Sequence, residues 1–132
     1  MSKRLFLVCV ALLVASFCAF AQKPEKKASI QLDSTTAHLG TFPKSNSLKT
    51  TVFTFKNVGN DKLVFYGASP NCGCVTVELP DKPIKPGRKG KIIVTYNGKN
   101  KTPTKFSHKI NFACTGSPAY FTLRVNGVMT KN

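Results

Sequence analysis

The sequence predicts an all-β protein, an immunoglobulin-like antiparallel β-sandwich of about seven strands. Three observations lead to this fold class. Short runs that alternate apolar and polar residues follow one another between turn signals, as strands with one buried face do. No run of 3.6-residue periodicity is long enough to predict a helix. About 100 residues of such short strands suit an immunoglobulin-like sandwich, and their uneven spacing favours it over a β-barrel.

Residues 1–21 have the pattern of a secretory signal peptide. Two basic residues precede an uninterrupted apolar run over 5–14, and Ala19 and Ala21 supply the small residues that precede a cleavage site. A membrane anchor is the alternative, but a helix needs about 20 apolar residues to span a bilayer. Lipid attachment at Cys18 is disfavoured by the bulky residue before it. We therefore expect an exported protein, periplasmic, extracellular or on the cell surface.

The remainder reads as a polar tether followed by one domain. Residues 22–28 are polar and charged, and residues 29–132 contain the predicted strands. A first strand begins at 30–32, with a bent continuation at 39–43. The others are predicted at 50–56, 62–66, 75–79, 91–96, 106–114 and 121–125.

Residue parity along these strands predicts the core. Residues two apart in a strand point to the same face, so the apolar members of each run are expected inside the sandwich. The predicted buried residues are Phe53, Phe55, Phe65, Ile92, Val94, Ile110, Phe112, Leu123 and Val125.

The chain is strongly basic. Twenty basic and five acidic residues give a formal net charge of +15, and loss of the signal peptide leaves 18 basic and 5 acidic residues, a net charge of +13. Such a balance favours anionic partners, although lysines that only keep an exported domain soluble are the simpler interpretation. A candidate anion-binding surface comprises nine residues between positions 82 and 109, where no acid occurs: Lys82, Lys85, Arg88, Lys89, Lys91, Lys99, Lys101, Lys105 and Lys109.

Three cysteines follow the signal peptide. Cys72 and Cys74 flank Gly73, and Cys114 lies in a predicted strand. Outside the cytoplasm an odd count suggests one disulfide with one free thiol, or a set of metal ligands. A bridge from Cys72 or Cys74 to Cys114 would staple the fold, whereas a Cys72–Cys74 bridge would close a small ring suited to redox exchange. We favour the Cys72/Cys74 pair, as bridge or dithiol, as the candidate thiol or metal site, with Cys114 as a buried third thiol.

The residue pattern does not favour catalysis. His38 lies in a turn-like segment, and His108 shares the parity of an apolar strand face, which favours a histidine at the edge of the core over a ligand or a base. The five carboxylates form no acidic pair, and no nucleophile elbow or phosphate-binding glycine loop occurs. Four ligands are usual for a zinc site, and only the two histidines could join the three thiols. Two thiolates can hold a soft ion such as Cu(I).

An ordered set of motifs resembles a family of exported bacterial proteins. The set comprises Gly59, Leu63, Cys72-Gly73-Cys74, the Pro-Gly turn that ends at Gly87 and the strand that starts at Gly90. It is similar to the domain-of-unknown-function family numbered 1573, in which a Ser-Cys-Gly-Cys-Thr signature precedes a Pro-Gly turn and a strand. The resemblance covers about residues 33–128, with Asn and Val in place of the signature's Ser and Thr. It implies an immunoglobulin-like sandwich related to Hydin-type and PapD-like domains, and no reaction.

Together these observations predict an exported, non-catalytic module that binds a protein or an anionic component of the cell envelope. A thiol-redox or soft-metal-binding protein using Cys72 and Cys74 is the first alternative, and an electrostatic binder of an anionic polymer or lipid is the second. No cofactor is predicted, and the identity of any metal is open. The signal peptide and the absence of a helix-turn-helix pattern or zinc-knuckle spacing argue against nucleic-acid binding. We expect a monomer with at most peripheral membrane contact.

Overall fold

The computed structural model describes residues 25–132 and consists of two four-stranded sheets. The predicted signal peptide and residues 22–24 of the tether lie outside the described residues. Within the described part, no helix has the length and apolar character needed to cross a membrane. The predicted all-β sandwich is confirmed, with eight strands: β1 Ile30–Leu32, β2 Thr36–Pro43, β3 Leu48–Asn57, β4 Phe65–Pro70, β5 Val75–Glu78, β6 Lys89–Asn97, β7 Lys105–Cys114 and β8 Tyr120–Thr130.

At each lateral side of the sandwich, two strands that are consecutive in the chain lie in different sheets. One sheet has the order β1-β3-β6-β5, and the other has the order β2-β8-β7-β4. The pairs β1/β2 and β4/β5 are therefore sheet edges that the chain links directly. All pairings are antiparallel except β2 with β8, which is parallel. The link at 33–35 is only three residues long and carries the chain from β1 into β2 of the second sheet. The parallel β2–β8 pair is a departure from the entirely antiparallel sandwich that the sequence predicts.

The predicted core is confirmed with one exception. Eight of the nine predicted residues are at most 3% exposed, and they come from the inward faces of β3, β6, β7 and β8. Phe65 is only half-buried. Its ring meets the rings of Phe55 and Phe121 edge-on, with centroids 5.3 and 6.3 Å away. It packs at the margin of the core because β4 is an edge strand.

The strand predicted at 62–66 begins later than expected and extends further, as β4. Leu63 is fully buried and forms an isolated bridge with Ile84, in which each backbone N–H donates to the other residue's carbonyl over 2.9 Å. These bonds attach the chain to the segment before β6, so pairing with β7 starts only at Phe65.

The end of the tether also belongs to the sandwich. Ala28 is 2% exposed, and its carbonyl accepts from Ser117 N at 3.0 Å.

Several residues of the family-like motif have a packing role. A Cβ on Gly59 would overlap backbone atoms of the 27–29 segment, and a Cβ on Gly90 would overlap the ring of Phe55. Gly87 has a φ of +81°, a left-handed conformation that glycine adopts without steric cost. Gly73 differs, because a Cβ there would meet nothing within 4 Å and its φ is not positive. The fold thus accounts for the motif outside the Cys-Gly-Cys turn.

Asn57, at the end of β3, has a fully buried side chain whose amide joins three segments. Its Nδ2 donates to the carbonyls of Asp61 at 2.7 Å and Ile84 at 2.8 Å. Its Oδ1 accepts from the backbone N–H of Ser29 at 3.3 Å and of Gly59 at 3.0 Å. The strand predicted at 50–56 ends one residue before Asn57. The structure shows that it satisfies four backbone groups that would otherwise lack these partners.

We predict that Asn57→Ala destabilises the fold by about 3 kcal/mol or more. Each buried polar group left without a partner costs about 1–3 kcal/mol, and the substitution affects several of them. The measurement is the free energy of unfolding in urea. Asn60→Ala is the matched control, because the exposed Asn60 side chain bonds only to the backbone of Lys27 and Glu25; we expect it to cost less than about 1 kcal/mol. Equal losses would contradict the role assigned to Asn57.

Candidate functional site

The Cys-Gly-Cys turn lies where the chain passes from β4 to β5, between the edges of the two sheets. Backbone bonds attach it to both. Asn71 N donates to Lys109 O on β7 at 3.0 Å, and Lys109 N donates back to the Asn71 side-chain oxygen at 3.3 Å. On the other side, Asn97 N at the end of β6 donates to Cys74 O at 2.8 Å. Asn71 replaces the signature's Ser, and its amide oxygen provides an anchor to the neighbouring strand.

The structure joins Cys72 and Cys74 in a disulfide, with an S–S distance of 1.99 Å. His108 on β7 lies beside it, with its Nε2 3.6 Å from the Cys74 sulfur. The two sulfurs and an imidazole nitrogen all lie within 4.8 Å of one another. Cys72 and His108 are half-buried and Cys74 is 8% exposed. The predicted cysteine pair is therefore brought together with a histidine that the sequence had placed only at the edge of the core.

An aromatic stack holds the His108 ring in this position. The rings of Tyr96 on β6 and Phe106 on β7 stack at a centroid distance of 4.2 Å. The imidazole lies nearly parallel to both, 5.8 Å from Tyr96 and 5.4 Å from Phe106. Phe106 and His108 share a strand face by parity, as predicted. Their approach to Cys74 depends on the packing of the two sheets, which sequence spacing does not reveal.

The environment favours the neutral form of His108. Burial lowers its pKa from the ordinary 6.5, and the positive charge of Lys101 lowers the pKa further. Both causes act in the same direction, because desolvation and a nearby cation each disfavour the imidazolium. At neutral pH the ring therefore has one nitrogen with a free lone pair.

Cys114 lies apart from this cluster. It is 2% exposed and is the one free cysteine among residues 25–132. Its Sγ donates to Pro118 O at 3.4 Å, and burial raises its pKa. Six residues separate it from His108 along β7, which is about 20 Å at the rise of a strand. A staple to Cys72 or Cys74 is not formed.

The nine predicted anion-binding residues are all exposed, but strand geometry separates them. Lys91 near the start of β6 and Lys99 after its end are eight residues apart, about 26 Å at 3.3 Å per residue. One group surrounds the start of β6, comprising Lys82, Lys85, Arg88, Lys89 and Lys91. The other four, from Lys99 to Lys109, belong to the β6–β7 loop and β7, and Lys101 is the one close enough to influence His108.

His38 lies in β2 and not in a turn, which corrects the prediction made for it. Pairing with β8 extends the strand through this segment, with a bulge between His38 and Thr41. The exposed His38 side chain lines an open cavity of about 590 Å³ together with Lys105 and Asn126. It does not belong to the Cys72, Cys74 and His108 group, the one cluster of potential metal ligands in the described part of the chain.

Two exposed tyrosines that the sequence analysis did not single out, Tyr66 on β4 and Tyr120 at the start of β8, lie at a common groove of the second sheet. Tyr66 is 75% exposed and Tyr120 is 80% exposed, and both line a groove of about 340 Å³ with Ala68 and Asn111. The register of β4 and β7 shifts between Phe65 and Gly67. Such bulges redirect side chains. The outward parity of Tyr66, next to the inward-facing Phe65, was the available sequence signal.

A family profile described as "Protein of unknown function (DUF1573)" matches residues 30–129. The chain belongs to this family. The resemblance drawn from the glycine, leucine and cysteine motifs is therefore confirmed. No curated protein matches the sequence.

Solved structures similar to this DUF1573 domain share its fold at low sequence identity. A protein of unknown function from Porphyromonas gingivalis W83 has a TM-score of 0.70 at 16% identity, over 82% of this chain and 50% of that one. The ASH/PapD-like domain 7 of human CEP192 has a TM-score of 0.59 at 10% identity, over 86% and 92% of the two chains. The Escherichia coli chaperone DraB has a TM-score of 0.57 at 10% identity, over 81% and 58%.

These similarities show an immunoglobulin-like β-sandwich fold. The chain spans about half the length of the Porphyromonas gingivalis protein. At these identities the structures show a shared fold and leave activity and partners to be argued from the site.

The disulfide assignment predicts a distinct labelling pattern for the three thiols. With an alkylating reagent and no reductant, the Cys114 peptide should be modified only in denaturant, because its sulfur is buried. The peptide with Cys72 and Cys74 should be modified only after reduction. Peptide mass mapping measures both, and a peptide linked through Cys114 would contradict the assignment.

The environment of His108 predicts an imidazole pKa below 6.5, measured by NMR titration of its ring protons. Lys101→Gln should raise this pKa, because it removes a repulsive charge while keeping a side chain of similar length. Lys82→Gln, at the opposite end of β6, is the matched control and should leave the value unchanged. An equal effect of both substitutions would show that only the net charge of the domain matters.

Proposed function

We propose that this chain is an exported, non-catalytic module that binds an extended, acidic segment of an envelope protein along the β4 edge. The signal-peptide pattern of residues 1–21 supports export. The observation on which the binding proposal rests is the exposed Tyr66 on the edge strand β4, which shares a groove with the exposed Tyr120 of β8.

The β4 edge has backbone groups free to pair with an added strand. The backbone N–H of Asn71, just after β4, donates to Lys109 O on β7, so alternation along an antiparallel pair directs the N–H and C=O of Ala68, three residues earlier, away from β7. Pro70 has no N–H to offer, which limits pairing at that end. A partner segment would thus form main-chain bonds with Ala68 and contact the groove for side-chain selection.

The two tyrosines give this edge the composition of a binding surface. Tyrosine is enriched in the centres of protein interfaces, since its ring buries a large apolar area and its hydroxyl keeps a hydrogen-bonding group. Tyr66 lies on the edge strand, and Tyr120 reaches the same groove from β8, across β7, so a segment that crosses this groove can contact both. Val64, 39% exposed, precedes Tyr66 and adds apolar surface.

Charge favours an acidic partner over a second copy of the chain. Lys62 precedes β4 and Lys109 pairs with the residue that follows it, and both side chains are exposed. With 20 basic and 5 acidic residues, two copies repel each other, whereas an acidic segment is attracted.

The comparisons support this proposal through fold alone. One similar structure is named a chaperone and another a PapD-like domain. A non-catalytic role is further supported by the histidines, since in the part of the chain that the structure describes neither His38 nor His108 bonds a carboxylate that could orient it as a base.

The test is an NMR titration of the ¹⁵N-labelled protein with a ten-residue peptide that alternates Glu with Val or Thr. We expect shifts in the β4 amides, largest at Ala68, and binding that weakens as salt rises because exposed charges are screened. Tyr66→Ala and Tyr120→Ala should each weaken binding by about fivefold or more, the loss of about 1 kcal/mol that marks a contributing interface residue.

Val52→Ala is the matched control, because Val52 is an exposed apolar residue on β3, in the other sheet. Shifts confined to the exposed lysines, with β4 unaffected, would replace this proposal with a purely electrostatic surface. Concentration-dependent broadening at β4 without peptide would identify a second copy as the occupant.

A further inference from the structure

Two sulfurs and one imidazole nitrogen converge at the edge of the sandwich, and they come from separate parts of the chain. Cys72 and Cys74 belong to the β4–β5 turn, and His108 belongs to β7. We propose that the reduced form of this site binds one Cu(I) ion through the thiolates of Cys72 and Cys74 and Nε2 of His108. The disulfide is then the metal-free, oxidised form of the same site. This inference is independent of the partner-binding surface proposed on β4.

The positions of the donor atoms suit a three-coordinate soft ion. Metal–sulfur and metal–nitrogen bonds of about 2.3 and 2.0 Å at trigonal angles place a sulfur and a nitrogen about 3.7 Å apart. The Cys74 sulfur and His108 Nε2 are 3.6 Å apart. Reduction frees the two sulfurs to separate by side-chain rotation, since their Cα atoms are 5.2 Å apart.

The number and softness of the donors favour Cu(I) over zinc. Thiolates select soft ions, and structural zinc sites use four protein ligands. The cluster among the described residues contains three donors, and the next histidine, His38, lies on another strand outside it. A d¹⁰ monovalent ion needs no fourth ligand.

The surroundings hold the ligands in position before metal arrives. Asn71, next to Cys72, bonds to Lys109, which is next to His108 on β7. The backbone N–H of Asn97 fixes Cys74 to β6. Stacking on Tyr96 and Phe106 orients the imidazole. Such support is what a metal site requires, because loosely held ligands lose affinity.

Access and charge also suit the ion. An open cavity of about 240 Å³ leads to Cys74, lined by Gly73, Asn97, Asn100 and Lys101. Gly73 has no side chain to cover the sulfurs, although the fold leaves room for one. Two thiolates and one Cu(I) have a net charge of −1, and the exposed cation Lys101, which lines this cavity, offsets it.

A dithiol compound is the reductant that converts the Cys72–Cys74 disulfide to the metal-binding form. The dithiol gives two electrons and two protons to the Cys72–Cys74 disulfide, the S–S bond breaks, two cysteine thiols form, and the dithiol becomes a disulfide. Binding of Cu(I) then releases the two thiol protons to solvent. In the reverse exchange a disulfide accepts two electrons from the Cys72 and Cys74 thiolates and two protons from solvent and becomes a dithiol. The Cys72–Cys74 bond re-forms and the ion is released, because a disulfide offers no thiolate.

The experiment is an anaerobic competition for Cu(I) with a chromophoric Cu(I) chelator. The reduced wild-type chain should withdraw one equivalent, and the oxidised chain should withdraw none. Cys72→Ser and Cys74→Ser should abolish uptake. His108→Ala should weaken it by about tenfold or more, because loss of even a group that supports a ligand costs about 10–100-fold. X-ray absorption of the loaded wild type should show two sulfurs and one nitrogen around copper.

Three controls separate this site from other donors. His38→Ala removes the other imidazole, Cys114→Ala removes the other thiol of the folded domain, and each should leave uptake unchanged. A Zn²⁺ competition at equal concentration should not displace copper. The proposal is overturned if reduced wild type takes up no Cu(I), if Cys114→Ala abolishes uptake, or if zinc is preferred. It is also overturned if the X-ray absorption spectrum shows no nitrogen ligand. This measurement uses the wild type, so it remains decisive even if His108→Ala fails to fold.

Discussion

The sandwich depends on the buried amide of Asn57. Four bonds from this one side chain fix the end of β3, the turn after it, the segment that leads to β6 and the first residues of the domain. Gly59 allows residues 27–29 to pass directly against that turn, where a Cβ would prevent their approach. These contacts close one end of the sandwich, and β4 and β5 are edge strands of the two sheets.

The Cys72–Cys74 disulfide contributes less to stability than the motif residues that pack the fold. The Cys72–Cys74 disulfide closes a loop of three residues, and on the chain-entropy model so short a loop contributes only about 1.6 kcal/mol. The core and the Asn57 bonds therefore supply most of the stability. Breaking the disulfide leaves the anchors at Asn71 and Asn97 in place, so a change in oxidation state need not disturb the two sheets.

The alternation of apolar and polar residues in the sequence predicted those features that depend only on which face of a strand a side chain occupies. It identified the two-sheet fold, eight of the nine core residues and the shared face of Phe106 and His108, since a strand's side chains alternate whatever it pairs with. It could not predict the parallel β2–β8 pairing, the late start of β4 or the approach of His108 to Cys74. Each of these depends on contacts between residues 20 or more positions apart, for which one sequence has no local signal.

The two-residue spacing of the disulfide also affects how the chain folds in an oxidising compartment. Cys72 and Cys74 stay within two positions of each other in the unfolded chain, so they meet more often than either meets Cys114, some 40 residues away. Early local pairing removes the partners with which Cys114 could mispair. Cys114 can then enter the core as a thiol, where burial protects it from reagents. In such a compartment the short ring would leave Cys114 without a competing partner while the chain folds.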